Sequence, residues 1–138
     1  MKRIFVDANV LVDLLTERRG FYDDAKKLFK LCKERKITPY ISSVSIAIIN
    51  YLLLKIYNEK KAREELEKIY RLTEILPFHK RIITLAHYSN FKDLEDGFQY
   101  FTAKESNINV IITRNQKDFQ VNDISIITPK QFIEMFSR

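Results

Sequence analysis

The sequence predicts an α/β fold, a three-layer α/β/α sandwich with a central parallel sheet of four to five strands. Three observations predict it. Short apolar runs of strand length alternate with longer stretches in which apolar residues recur every three to four positions. Hydrophobic residues make up 46% of the chain, enough to fill a core between layers. With two Gly and three Pro in 138 residues, long flexible linkers and glycine-rich phosphate loops are not expected. The length suits one domain spanning residues 1–138, since single domains commonly hold roughly 100–200 residues.

Arg3–Val6 is a short apolar run bounded by charge and reads as the first strand. Val10, Leu11, Leu14 and Leu15 recur at helical spacing up to Glu17, and Gly20 breaks the pattern. Tyr22–Arg35 reads as a second amphipathic helix. Cys32 shares its apolar face with Ala25, Leu28 and Phe29, so the lone cysteine is expected to pack rather than react. Ile37–Ile41 is a strand limited by Pro39, and Ser42 or Ser43 caps a helix running to about Tyr57. Asn58–Leu72 is a charged helix with Ala62, Leu66 and Ile69 inward and its KKAREELEK run as a solvated face. Ile75–Leu76 is a brief strand, and Arg81–Tyr88 and Asp93–Glu105 are helices. Val110–Thr113 is a buried strand and Ile124–Ile127 a shorter one. Thr128 caps the last helix, with Pro129 at its first position and Gln131 three residues after the cap.

No apolar run approaches the roughly 20 residues of a membrane span. The opening MKRIFVDANVLVDLL has the basic-then-apolar start of a signal peptide, but Asp7 and Asp13 interrupt it and no small-residue cleavage site follows. A soluble, unprocessed, cytoplasmic protein is expected. A single cysteine leaves no internal disulfide framework and no zinc knuckle. A net charge of +6 and a pI near 9.4 suit a polyanionic partner, although many soluble domains are mildly basic. Lys26, Lys30, Lys33 and Lys36 offer either phosphate contacts or a merely solvated stripe.

In a parallel sheet flanked by helices, ligands bind beyond the carboxyl ends of the strands. Asp7 directly follows the first strand, and Asp118 lies shortly after the strand VIIT. Asp93 and Asp96 open the helix that leads into that strand, and therefore start at the same sheet edge. The four carboxylates are expected to converge there. Two carboxylates about 5 Å apart repel by roughly 3 kcal/mol at an effective dielectric near 20. A hard divalent cation such as Mg²⁺ removes that repulsion, takes oxygen ligands, and activates water against a phosphodiester. Other readings compete. Asp93 also suits a helix N-cap, Asp118 suits a turn, and Asp13 reads as a surface position. Asp7 closing an apolar strand needs a partner. Asp96 lies beside Gly97, a residue unfavourable inside a helix unless something packs closely against it.

The segments FVDANVLVDLL, YISSVSIAIINYLLLK, FKDLEDGFQYFTAKE and VIITRNQKDF resemble, in order and spacing, the four signature segments of PIN domains, and together cover nearly the whole chain. The resemblance implies a PIN-like fold, a Mg²⁺ or Mn²⁺ site, ribonuclease activity on single-stranded RNA, and kinship with bacterial VapC-type toxins held by antitoxin proteins. It assigns catalysis and metal binding to Asp7, Asp96 and Asp118; Asp93, outside that set, is a candidate substitute ligand read from its place beside them. Asn9 and Asn115 match polar positions flanking the site, and Thr113 and Ser43 match positions that orient ligands. It also implies a homodimer, in keeping with the many apolar residues of a small chain. The sequence departs from the family once. Ile48 stands where the family places a glutamate in the helix after the second strand, and Asn50, two residues on, points about 200° away. That departure sets a second reading beside the first: a catalytically weakened module that binds RNA or a protein without cutting.

Phosphatases with an aspartyl nucleophile want a second Asp where Asn9 stands, and a dinucleotide fold lacks its glycines. His79 and His87 read as surface or packing residues. Of Tyr51, Tyr57, Phe98, Tyr100 and Phe101, which could stack on bases, Phe98 and Phe101 are expected in the core.

Overall fold

The computed structural model describes residues 2–137. The strands are β1 (Lys2–Val6), β2 (Ile37–Ser42), β3 (Glu74–Leu76), β4 (Val110–Ile112) and β5 (Ser125–Ile127). They form a wholly parallel sheet in the order β3-β2-β1-β4-β5. The helices are α1 (Ala8–Leu15), α2 (Tyr22–Lys33), α3 (Ser43–Leu53), α4 (Glu59–Leu72), α5 (Lys80–His87), α6 (Leu94–Glu105) and α7 (Pro129–Phe136), with a 3-10 turn at Gln116–Asp118.

Side chains alternate across a strand, and that alternation builds two cores. Ile4 and Val6 of β1 and Ile112 of β4 join α1, α2, α3, α4 and Phe132 of α7 on one face. Phe5 and Ile111 turn to the other, where Tyr100 and Ala103 of α6 cover them together with Phe119 and Ile124. Neighbouring β1 and β4 thus mark the place where the chain changes faces. In parallel sheets such a switch point opens a crevice at the carboxyl edge.

Local sequence explains most element ends. Ser42 caps α3 by accepting the Val44 N–H at 3.2 Å, and Asn58 caps α4 by accepting the Lys61 N–H at 2.9 Å. Thr128 and Gln131 form a reciprocal capping box with Pro129 in the first turn. Gly20 adopts φ +90, which allows the turn between α1 and α2. A side chain at Gly97 would stand 3.0 Å from the Ala86 Cβ, so the glycine lets α5 pack onto α6 one residue from Asp96.

Four expectations need correction. Pro39 lies inside β2, paired with Ile4. It is accommodated because β3 pairs only with Tyr40–Ser42, leaving Pro39 with a ladder on one side. Phe98 and Phe101 are half-buried, whereas Tyr100 is buried and donates its hydroxyl proton to Asp123 at 2.6 Å. Glu65, in the run read as solvated, is buried between Lys61 and Lys68. Asp13 is 2% exposed rather than on the surface, because Arg114 from the loop after β4 covers it. Cys32 packs against the first core, and burial pushes its thiol up to about 12. Among the described residues no helix is long and apolar enough to cross a membrane.

Candidate metal centre

Asp7 is the residue between β1 and α1, extended at φ −68 and ψ 146, and its side chain makes no capping bond. Its backbone N–H donates to Ile112 O at 2.9 Å, which continues the sheet ladder and locks the end of β1 against β4. The carboxylate is therefore buried at the switch point. Its Oδ2 accepts the Thr113 hydroxyl at 2.8 Å and the Asn9 side-chain amide at 3.2 Å. Thr113 is fully buried, and its Oγ1 in turn accepts the Asn115 backbone N–H at 3.2 Å. Burial pushes the Asp7 carboxyl up to about 6. The Thr113 and Ala8 hydrogen bonds and the Arg114 charge act against that rise, and Glu95 adds to it.

Asp96 is half-buried in the first turn of α6. Burial and then the charges of Asp93, Asp7, Asp118 and Glu95 push its carboxyl up to about 7. Those four acids each act to raise it, and Glu95 is one that was not foreseen from the sequence. Asp93 serves as the N-cap of α6, accepting the Glu95 N–H at 2.9 Å through one oxygen. Asp118 closes the 3-10 turn and is exposed. Asp93, Asp96 and Asp118 line a groove of about 620 Å³ together with Lys92, Lys117 and Phe91.

The remaining candidates divide. Ser43 is exposed, and its hydroxyl accepts the Phe78 N–H at 3.0 Å, so it braces the chain after β3. Ser45 makes the link between α3 and α6, donating to Gln99 at 3.2 Å within the core. Ile48 is half-buried and packs against the core cluster that α1 shares. Asp13, Glu95, Arg114 and the Ser45–Gln99 pair escaped sequence reasoning. Asn9 and Asp13, four apart on one helix, were the available signal that both face the same neighbour.

The donors are hard oxygens suited to Mg²⁺ or Mn²⁺, and the buried Asn9 Oδ1 has no hydrogen-bond partner. Among the described residues, no three His, Cys, Asp or Glu side chains are arranged to grip one ion directly. Mg²⁺ commonly takes one or two carboxylates and keeps several waters, which this looser ring satisfies. The residues fit such an ion in kind.

Residues 3–117 match the family model for the PIN domain. Over 141 aligned residues the chain is 33% identical to Ribonuclease VapC1 of Aquifex aeolicus (strain VF5), covering 99% of this chain and 96% of that protein. Among solved structures it resembles VapBC2 from Rickettsia felis bound to a DNA fragment from their promoter, with TM-score 0.64, 17% identity, and 90% of this chain and 96% of that one covered. It also resembles FitAcB from Neisseria gonorrhoeae, with TM-score 0.64, 20% identity, and 92% and 98% covered. At such identities the two structures speak for the fold.

Proposed function

The chain belongs to the PIN domain family, and from that we propose that it is a metal-dependent ribonuclease cutting single-stranded RNA, the toxin of a toxin–antitoxin pair. One observation carries the reading. Asp93, Asp96 and Asp118 line one groove at the sheet edge where Asp7 closes β1, and burial with the neighbouring acids pushes the Asp96 carboxyl up to about 7. A ring of acids at the switch point is stable in its ionised form only with a cation. Asp7, Asp96 and Asp118 would hold Mg²⁺ or Mn²⁺, with Asp93 offering its oxygen not used in capping. When bound, the ion supplies a water of lowered pKa and neutralises charge on the phosphodiester.

The chain's own residues do the rest. Thr113 and Asn9 fix the orientation of the Asp7 carboxylate through its Oδ2. Buried packing of α5 on Gly97 sets the start of α6, and with it Asp96. Lys92 and Lys117 beside the acids attract the RNA backbone into the groove. Likeness to Ribonuclease VapC1 supports the substrate class and the toxin role.

The alternative, a binding module with weakened catalysis, draws on Ile48, which puts a hydrocarbon where a carboxylate would serve. Incubating the purified protein with single-stranded RNA and Mg²⁺ or Mn²⁺, with and without EDTA, separates the two. Cleavage abolished by EDTA is the expected result. No cleavage with either metal favours the binding module, and cleavage indifferent to EDTA refutes the metal. A homodimer belongs to the same reading. Tyr51, Leu54 and Ile56 at the end of α3 supply exposed apolar surface for it, and sedimentation at micromolar concentration reads the outcome.

A further inference from the structure

Among the described residues, three buried side-chain atoms have no hydrogen-bond partner: Asn9 Oδ1, Asp13 Oδ1 and Arg114 Nε. They lie together. Asn9 and Asp13 are one turn apart on α1, and Arg114 follows Thr113, whose hydroxyl holds Asp7. Buried polar atoms are nearly always satisfied, so Asn9 Oδ1 and Asp13 Oδ1, unpartnered beside the Asp13–Arg114 ion pair, mark a spot where the fold serves something other than its own stability.

Arg114 is held there from two sides. Its Nε stands 3.1 Å from Asp13 Oδ2, an ion pair whose charge acts to lower the Asp13 carboxyl against the rise that burial causes. Its guanidinium lies 4.8 Å from the centre of the Phe21 ring, and Arg18 lies 5.3 Å from the same ring. Phe21 is itself exposed, and the Arg114 side chain is 20% exposed, so this assembly reaches solvent. Arg114 directly follows Thr113, whose hydroxyl donates to Asp7 at 2.8 Å, and its charge acts to lower the Asp7 carboxyl. A largely buried ion pair is a poor device for stability, since desolvation opposes the attraction. It is a good device for presenting a planar, permanently charged fork at a fixed angle.

We propose that Arg114, tethered by Asp13 and stacked on Phe21, binds a phosphate of the RNA strand next to the phosphodiester held at the acid ring. The proposal rests on the ribonuclease reading. A guanidinium matches two phosphate oxygens at once, which an ammonium does not. Phosphate is the fitting anion because the neighbouring carboxylates would repel an acidic peptide as a whole, whereas an RNA strand brings the group that the bound cation attracts. Arg114 is thus a substrate-positioning residue.

The test compares the wild-type chain with Arg114→Ala, Arg114→Lys and the double variant Asp13→Asn/Arg114→Ala, which leaves no unpaired buried carboxylate should the single variant fail to fold. Cleavage of a short single-stranded RNA is followed across a salt series. In parallel, fluorescence anisotropy reads binding of the same RNA without metal, and of polyglutamate. The expected result is a KM raised about tenfold with kcat nearly unchanged, and a dependence of log KM on log salt that is shallower by about 0.7, one phosphate contact on a single strand. Arg114→Lys should recover the salt slope but only part of the affinity. An unchanged slope and unchanged RNA binding in the double variant overturn the proposal whatever happens to melting temperature, because an ion pair that merely ties α1 to the loop leaves both readouts alone. A variant that loses polyglutamate binding and keeps RNA binding overturns it in favour of a peptide. A wild type that binds RNA but never cuts it refutes the ribonuclease reading instead, and the binding arm then decides Arg114 alone.

Discussion

Glu65 on α4 and Asp96 on α6 are both acids partly or wholly withdrawn from water, yet their surroundings are opposite. Burial raises Glu65, but Lys61 and Lys68, each 3.0 Å away, bond to it and leave its carboxyl below the usual range. Burial raises Asp96 too, and there every charge that moves it further is another acid, so it stands at about 7. The chain has 24 Lys and Arg to distribute. It sets two of them four residues before and three after Glu65, where a helix brings them to the same face. Around Asp96 it sets Asp93 and Glu95. Neutralisation is therefore available to this fold and is supplied where charge is structural. At the acid site Lys92 and Lys117 line the groove, yet among the described residues no ion pair forms with Asp96, and the compensating charge is left to come from outside.

Breaking the acid ring has the largest expected effect. Asp96→Asn should lower RNA cleavage by at least about 100-fold, as removal of a group that positions transition-state charge typically does. The same variant tests the electrostatics without metal. In the unfolded chain Asp96 releases its proton near 3.8, while in the folded chain it keeps it to about 7. The folded state thus binds more protons between those values, and its stability falls as pH rises from about 4 to 7. Metal-free wild type should melt lower at pH 8 than at pH 5, with Asp7, raised to about 6, adding to the slope. Asp96→Asn should flatten that slope, and an unchanged slope would show that the ring is not the cause.

Adding an acid sharpens the comparison from the other direction. Ile48→Glu should tighten Mn²⁺ binding about tenfold in titration calorimetry, a direct ligand being worth no less than the outer partners whose loss costs 10–100-fold. Because Ile48 is half-buried against the core, metal-free melting should drop. Unfolding, or unaltered binding, would assign Ile48 to packing alone. The smallest effect belongs to the region already neutralised. Glu65→Gln should lower stability by about 1 kcal/mol at most at neutral pH, since both lysines are largely exposed, and leave cleavage untouched. Its sign with pH is reversed. The lowered carboxyl of Glu65 contributes above about 4.5 and loses that contribution as pH falls.

Much of this was legible in the sequence because local rules governed it. Asp7 and Thr113 end apolar strands, so topology alone brings them to one edge. Thr128, Pro129 and Gln131 announce a helix start from their own chemistry. Gly97 was legible as a place of close packing, though the sequence could not say that Ala86 fills it. What stayed hidden depends on distant partners. Asp13 and Glu65 are charged residues on helices, which ordinarily face water. Only Arg114 across the fold and the shielding of α4 against its neighbours make them buried. Arg114 and Glu95 sit in a loop and a first helical turn, where no periodicity marks the direction of a side chain.

The register of β1 against β4 has one further consequence, in time rather than space. Asp7 is fixed by the Ile112 carbonyl and the Thr113 hydroxyl, and Asp118 comes later still. During synthesis from the amino end, the first acid emerges almost at once while the strand that seats it is not yet made. A nascent chain of 100 residues has α1 to α5 and most of α6, but neither β4 nor the turn that carries Asp118. Long-range parallel pairing is also slow to form, because chain entropy must be lost before the contact is gained. Whatever the order in which the earlier elements form, the acid site is complete only once β4 and the turn carrying Asp118 have docked.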